Sequence, residues 1–96
     1  KHAYDKLIVA TGSRANIPKD APIHLPGVFT MRTRQDADDL KKFLQPKATV
    51  IIIGGGLLGL ELAASLREID MRVYILQLGS RLMERQIDNI AWQLLL

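Results

Sequence analysis

Six apolar or β-branched residues, Ala48-Thr49-Val50-Ile51-Ile52-Ile53, run directly into Gly54-Gly55-Gly56, and a further glycine follows at Gly59. A segment apolar on both faces reads as a strand covered on both sides, as in a parallel sheet. Leu57 to Ile69 then carries Leu58, Leu62, Ala63 and Leu66 at helical spacing, on positions that can face a sheet. Arg72-Val73-Tyr74-Ile75-Leu76-Gln77 reads as the next strand. Residues 48–77 are therefore one strand–turn–helix–strand unit, which belongs in an α/β fold with a parallel sheet.

The turn of this unit reads Gly54-x-Gly56-x-x-Gly59, and each glycine has its own task. Gly54 permits the tight exit from the strand. Gly56 has no Cβ, so a pyrophosphate can approach its backbone. Gly59 lets the helix pack closely on the sheet. The helix beginning at Leu57 and Leu58 aims its free N–H groups and its positive dipole end at the same spot. This makes an anion site from bare backbone and a candidate dinucleotide turn. The pattern expects an acid at the end of the second strand to grip the adenine ribose, and Gln77 stands there instead. A glutamine bonds a hydroxyl but does not repel a 2′-phosphate. Arg81, a few residues on, can meet a phosphate or can be a solvated loop charge. Glu61 lies two positions after the third glycine, either near the nicotinamide end of a cofactor or as a carboxylate stabilised by the helix dipole.

The flanks are read more simply. Leu7 to Ala10 predicts a short strand ending at Thr11-Gly12-Ser13. Pro18, Pro22, Pro26 and Gly27 predict a crossing linker and a domain boundary after residue 26. Val28 to Arg32 predicts another short strand. Thr33 offers an N-cap with Asp36 three residues on, ahead of a helix closed by Pro46. Asp88 can cap a last helix, 89–96.

Composition sets the outer limits. In 96 residues, 13 Lys and Arg stand against 10 Asp and Glu, a net charge of +3, and the cations are scattered. That balance calls for no nucleic-acid partner. With no Cys, the chain has no disulfide, no thiol nucleophile and no cysteine-held cluster of its own. The Asp36, Asp38 and Asp39 group is a helix face, and neither His2 nor His24 has a partner motif, so no metal site and no catalytic residue is assigned. The charge-free stretch from Ala48 to Leu60 is too short to cross a bilayer, and no signal peptide opens the chain, so the expectation is cytoplasmic. The first residue is Lys, as in a piece of a longer protein.

Three stretches together resemble one family. Tyr4-Asp5-Lys6-Leu7-Ile8-Val9-Ala10-Thr11-Gly12-Ser13, the segment Gly27-Val28-Phe29 with Arg32-Thr33 and Asp36-Ala37, and Ile53 to Glu61 are similar, in order and spacing, to segments of the FAD-dependent pyridine nucleotide-disulfide oxidoreductases. Within it, Arg81-Leu82-Met83-Glu84-Arg85-Gln86-Ile87-Asp88 resembles the large subunits of NAD(P)H-dependent nitrite reductases. The resemblance implies a partial Rossmann-like three-layer nucleotide-binding domain over 27–96, truncated on its C-terminal side, preceded by the end of an FAD-domain segment and a linker over 1–26. It implies NAD(P)H at Gly54, Gly56, Leu57, Leu58, Gly59, Glu61, Gln77 and Arg81, and FAD beside Thr11, Gly12 and Arg14. It also implies hydride transfer from NAD(P)H to FAD, with sirohaem and an iron–sulfur cluster in the rest of the parent, where nitrite becomes ammonia. The partners are then the remaining domains of that parent. The isolated chain is expected to transfer no hydride and to self-associate through an uncovered sheet. The absence of a basic pair after the second strand favours NADH. The alternatives are a ferredoxin or rubredoxin reductase and a non-catalytic nucleotide-binding module.

Overall fold

A computed structural model describes residues 1–95. Its elements run α1 (Arg34–Phe43), β1 (Thr49–Ile53), α2 (Leu57–Glu68), β2 (Arg72–Leu76) and α3 (Asn89–Leu95). Contacts divide the chain into two compact units, one ending at Leu44 and the other beginning at Gln45, so the proline-rich stretch lies within the first.

In the first unit, α1 starts as its sequence predicts. The Thr33 side chain accepts from the Asp36 N–H at 3.2 Å, and the Asp36 carboxylate accepts from the Thr33 N–H at 2.6 Å, a reciprocal capping box. The helix ends at Phe43, with Leu44 in extended conformation ahead of Pro46. The strands expected over 7–10 and 28–32 do not form. A strand is a property of a pair, and neither segment has a neighbour to bond among the described residues. Ile8 is 88% exposed. The 28–32 stretch is held by rings instead: Phe29 meets Phe43 edge-on with centroids 5.3 Å apart.

The second unit is the strand–turn–helix–strand expected from 48–77. β1 and β2 pair in parallel, with Thr49 opposite Arg72 and Ile53 opposite Leu76, and α2 crosses between them. Alternate strand residues Val50, Ile52, Val73 and Ile75 turn towards α2, and the core is Ile52, Ala63, Leu66 and Met71. Leu58, expected on that face, is exposed, because Gly59 is the first-turn residue that lies against the end of β1. The return into β2 is sharp. Met71 N–H bonds the Leu66 carbonyl and Asp70 N–H that of Arg67, both at 3.0 Å, with Asp70 left-handed at φ 62°. This is a Schellman ending, with buried Met71 and Leu66 as its apolar pair.

Of the three layers expected, the described residues form two. The sheet face away from α2 carries Ile51, Ile53, Tyr74 and Leu76, all more than half exposed. The apolar character of β1 on both faces is thus met by packing on one only.

Candidate functional site

The register of the two strands builds the site. Gly54 N–H still reaches the Leu76 carbonyl at 2.8 Å, prolonging the ladder by one bond, and then turns out at φ 117°, where a side chain is strained. Three residues later α2 has begun, so close to β1 that a Cβ on Gly59 would overlap the Gly54 carbonyl oxygen. Gly56, the N-cap, is extended at φ −82°, and a Cβ there would meet nothing within 4 Å. The space in front of the turn is open.

At the same point the backbone is short of acceptors. Gly56 offers no side-chain cap, and among the described residues the N–H groups of Gly56, Leu57, Leu58 and Gly59 have no hydrogen-bond partner. These are the four donors that any helix start leaves unmet. With the dipole, equivalent to about half a positive charge, they favour a bound anion. An open glycine N-cap facing four unused donors fits a pyrophosphate, and it does so with no cationic side chain in the turn.

Gln77 follows β2 directly and lies beside the turn. Its Oε1 accepts the Gly55 N–H at 2.7 Å. The Gly55 carbonyl in turn accepts from Met83 N–H at 2.8 Å, and a Cβ on Gly55 would collide with the Leu82 side chain. Gly55, Leu82 and Met83 were assigned no site role from sequence. The signal available was a third consecutive glycine at a position where the spacing pattern asks for none. Arg81 is half-buried and donates to Asn89 Oδ1 at the start of α3, whose Ala91 N–H is capped by Asp88 Oδ1 at 2.9 Å. Glu61 is exposed one turn into α2 and makes no ion pair or hydrogen bond among the described residues. The structure therefore gathers Gly54, Gly56, Leu57, Leu58, Gly59 and Gln77 at the carboxyl end of the strands. Glu61 stands beside them, and Arg81 is engaged elsewhere.

In the other unit, Thr11, Gly12 and Arg14 are exposed, with open space at Gly12. Ser13 accepts from Arg32. No cradle for a flavin is built around these residues in that unit. The carboxylates with lowered pKa lie in α1: Asp36, through the N–H groups of Thr33 and then Arg32, and Asp39, through the side chains of Gln35 and Lys42. Among the described residues no cluster of His, Asp and Glu could hold a metal ion, and no helix is long and apolar enough to cross a membrane.

The family described as "Pyridine nucleotide-disulphide oxidoreductase" matches residues 1–95. The chain is 40% identical over 87 residues to the biphenyl dioxygenase system ferredoxin–NAD(+) reductase component of Paraburkholderia xenovorans, covering 91% of this chain and 21% of that protein. It is 36% identical over 91 residues to a rubredoxin-NAD(+) reductase of Pseudomonas putida, covering 95% of this chain and 24% of that one. It is also 36% identical over 86 residues to the nitrite reductase [NAD(P)H] large subunit of Klebsiella oxytoca, covering 90% of this chain and 9% of that one. The chain thus spans a quarter or less of the length of these relatives. No solved structure matches it.

Proposed function

Because this chain belongs to the pyridine nucleotide-disulphide oxidoreductase family, we propose that its turn from Gly54 to Gly59 holds the pyrophosphate of NAD(P)H, as the nucleotide-binding part of a longer FAD-dependent oxidoreductase. The observation that carries this reading is the open N-cap at Gly56, in front of four unpartnered backbone donors at the carboxyl end of a parallel sheet. The N–H groups of Gly56 to Gly59 bind and neutralise the phosphates. Gly54 and Gly59 fix the distance between strand and helix, so the donors converge. Leu57 and Leu58, both exposed beside the turn, cover the phosphates from water. Gln77 meets the adenine ribose, with Arg81 near that end and Glu61 towards the nicotinamide.

When bound, NAD(P)H supplies a hydride, for which FAD is the acceptor in this reading. Thr11, Gly12 and Arg14 are assigned to the flavin side, with 1–26 as the end of the FAD segment and 27–96 as nucleotide domain. The Arg81–Asp88 stretch supports nitrite reductase as the parent, a cytoplasmic enzyme whose sirohaem and iron–sulfur cluster lie in other domains. A second reading, a ferredoxin or rubredoxin reductase, is supported equally by the relatives that carry those names. The absorbance of the parent enzyme separates the two, since a sirohaem band belongs to the first alone.

The site itself is tested by Gly56→Val. The added side chain enters open space, so the fold is retained while the pyrophosphate is blocked. Calorimetry should show NADH affinity reduced at least about tenfold, the effect of losing one strong anion contact, with the circular dichroism spectrum unchanged. Undiminished affinity in a folded variant places the site elsewhere.

A further inference from the structure

The opposite end of the sheet holds a second concave surface. Lys47, Arg67, Asp70, Met71 and Arg72 line an open cavity of about 260 Å³. Lys47 stands just ahead of β1, Arg72 opens β2, and Arg67 lies in the last turn of α2. Three elements thus bring three cations to one place, and Arg72 N–H, bonded to the Ala48 carbonyl at 3.0 Å, fixes the two strand ends to each other. Among the described residues none of the three cations is in an ion pair, and Asp70, the one carboxylate of the lining, pairs with none of them. Three positive charges exceed Asp70 and the negative dipole end of α2 together, so the lining groups repel one another and draw an anion. The backbone points the same way. Ala48 N–H bonds the Gln45 carbonyl at 3.1 Å across Pro46 and Lys47, and Lys47 is left-handed at φ 61°. This is the third place of a turn with proline second, where glycine or asparagine is the ordinary occupant. A lysine there carries backbone strain that a glycine would not, and it sets a cation at the cavity.

We propose that this cavity binds free inorganic phosphate, as a second anion site independent of the glycine turn and of what binds there. The whole of β1, five residues and about 16 Å by the rise of a strand, separates it from Gly54. Its volume falls below the roughly 300 Å³ at which pockets for larger organic ligands begin, which suits a compact anion. Arg67 and Arg72 present forked guanidinium donors and Lys47 an ammonium, the groups that take phosphate oxygens. Asp70 chooses among anions. Inorganic phosphate keeps a proton slightly above neutral pH, and that O–H donates to the carboxylate. Sulfate has no proton to give and meets only repulsion. A phosphate monoester, with a second pKa of about 6, has lost its own by then.

The test is amide chemical-shift mapping of the 96-residue chain, titrated slightly above neutral pH with inorganic phosphate, sulfate and a phosphate monoester, and repeated on Lys47→Gly and Asp70→Asn. Phosphate should move the amides of Lys47, Arg67 and Arg72 with a dissociation constant of about 1 mM or tighter. Sulfate and the monoester should bind at least about tenfold more weakly there, the effect of a lost hydrogen bond to a charged group. Lys47→Gly suits the left-handed position, so it should melt no lower than the parent while phosphate weakens about tenfold. Asp70 is also left-handed, at φ 62°, a conformation asparagine tolerates. Asp70→Asn supplies an amide that serves either anion, so the difference between phosphate and sulfate should vanish. Shifts confined to Gly56–Gly59, sulfate or the monoester binding at the cavity as tightly as phosphate, or undiminished phosphate binding by a folded Lys47→Gly protein each overturns the proposal. None of these results bears on the dinucleotide reading of the glycine turn. If either variant does not fold, the parent's shift map and its ratio of phosphate to sulfate affinity decide the matter alone.

Discussion

Replacing Gly59 with Ala should lift α2 off β1 without removing any of its N-terminal donors. The new Cβ would sit well inside the 3.0 Å that real Cβ atoms keep from a neighbour, here the Gly54 carbonyl oxygen, with the Gly54 carbonyl carbon at 3.2 Å and Ile52 Cγ2 at 3.5 Å. Neither neighbour can give way. Gly54 is pinned to Leu76 by its own N–H, and Ile52 is 8% exposed in the core. The first turn of α2 must therefore move, and overpacking of this kind costs about 1–3 kcal/mol. Alanine returns about 0.5–1 kcal/mol over glycine through its better helix propensity. The net loss is then about 1 kcal/mol. For a domain of this size such a loss lowers the melting temperature by about 4–8 °C. The core being loosened has Ile52, Ala63, Leu66 and Met71 as its buried apolar side chains, so the change is a large share of what holds the unit. The assay is thermal unfolding by far-ultraviolet circular dichroism, with Gly56→Ser as the control. That variant adds a Cβ where nothing lies within 4 Å and supplies an N-cap hydroxyl, so it should melt no lower than the parent. A Gly59→Ala protein melting within about 2 °C of the parent, or a Gly56→Ser protein falling just as far, would refute the assignment of these two glycines to packing and to ligand approach.

Two further outcomes are expected. The Asp36 carboxyl is held below the usual aspartate range by the N–H of Thr33, then that of Arg32, then the Thr33 side chain. A pKa lower in the folded than in the unfolded chain gives a stabilisation present above the unfolded value and lost as pH falls through the folded one. The amide shifts of Arg32 and Thr33 should therefore titrate below the ordinary aspartate range, with α1 fraying from its first turn, and a midpoint in or above that range contradicts the capping box. The bare sheet face of Ile51, Ile53, Tyr74 and Leu76 should make the chain self-associate with rising concentration, and Ile53→Lys should reduce this. A strictly monomeric parent in concentrated light scattering rules that out.

What could be read in the sequence was what is decided within a few residues. Thr33 and Asp36 cap α1 because both partners of the bond lie inside one turn of chain. The strand–turn–helix–strand of 48–77 was legible because β-branching, glycine spacing and helical period all act locally and agree. The expected strands at 7–10 and 28–32 failed for the converse reason, since apolar residues propose a strand but only a neighbour makes one. The bare face of β1 belongs here too: Ile51 and Ile53 show a wish to be covered on both sides, and covering depends on other elements.

The partner of Gln77 shows most clearly where local reasoning stops. Gln77 and Gly55 are 22 positions apart, and neither residue's type announces the other. They meet because Ile53 pairs with Leu76 and Gly54 N–H still bonds the Leu76 carbonyl, so Gly55 and Gln77 are the residues that follow the last bond of the ladder. A slip of one residue would turn every core side chain of β2 outwards, and Val73 and Ile75 facing α2 forbid it. The register that buries the core is thus the same register that delivers an amide oxygen to the turn. It also explains why three glycines stand in a row. Gly54 is needed for its positive φ, Gly56 keeps open the space that the proposed pyrophosphate would enter, and Gly55 is needed because the protein itself, through Leu82, already occupies the place of its side chain. The middle position, free to vary in the spacing pattern, is the one most tightly enclosed by the chain's own atoms, and a substitution there should disturb the loop after β2 before it disturbs any ligand.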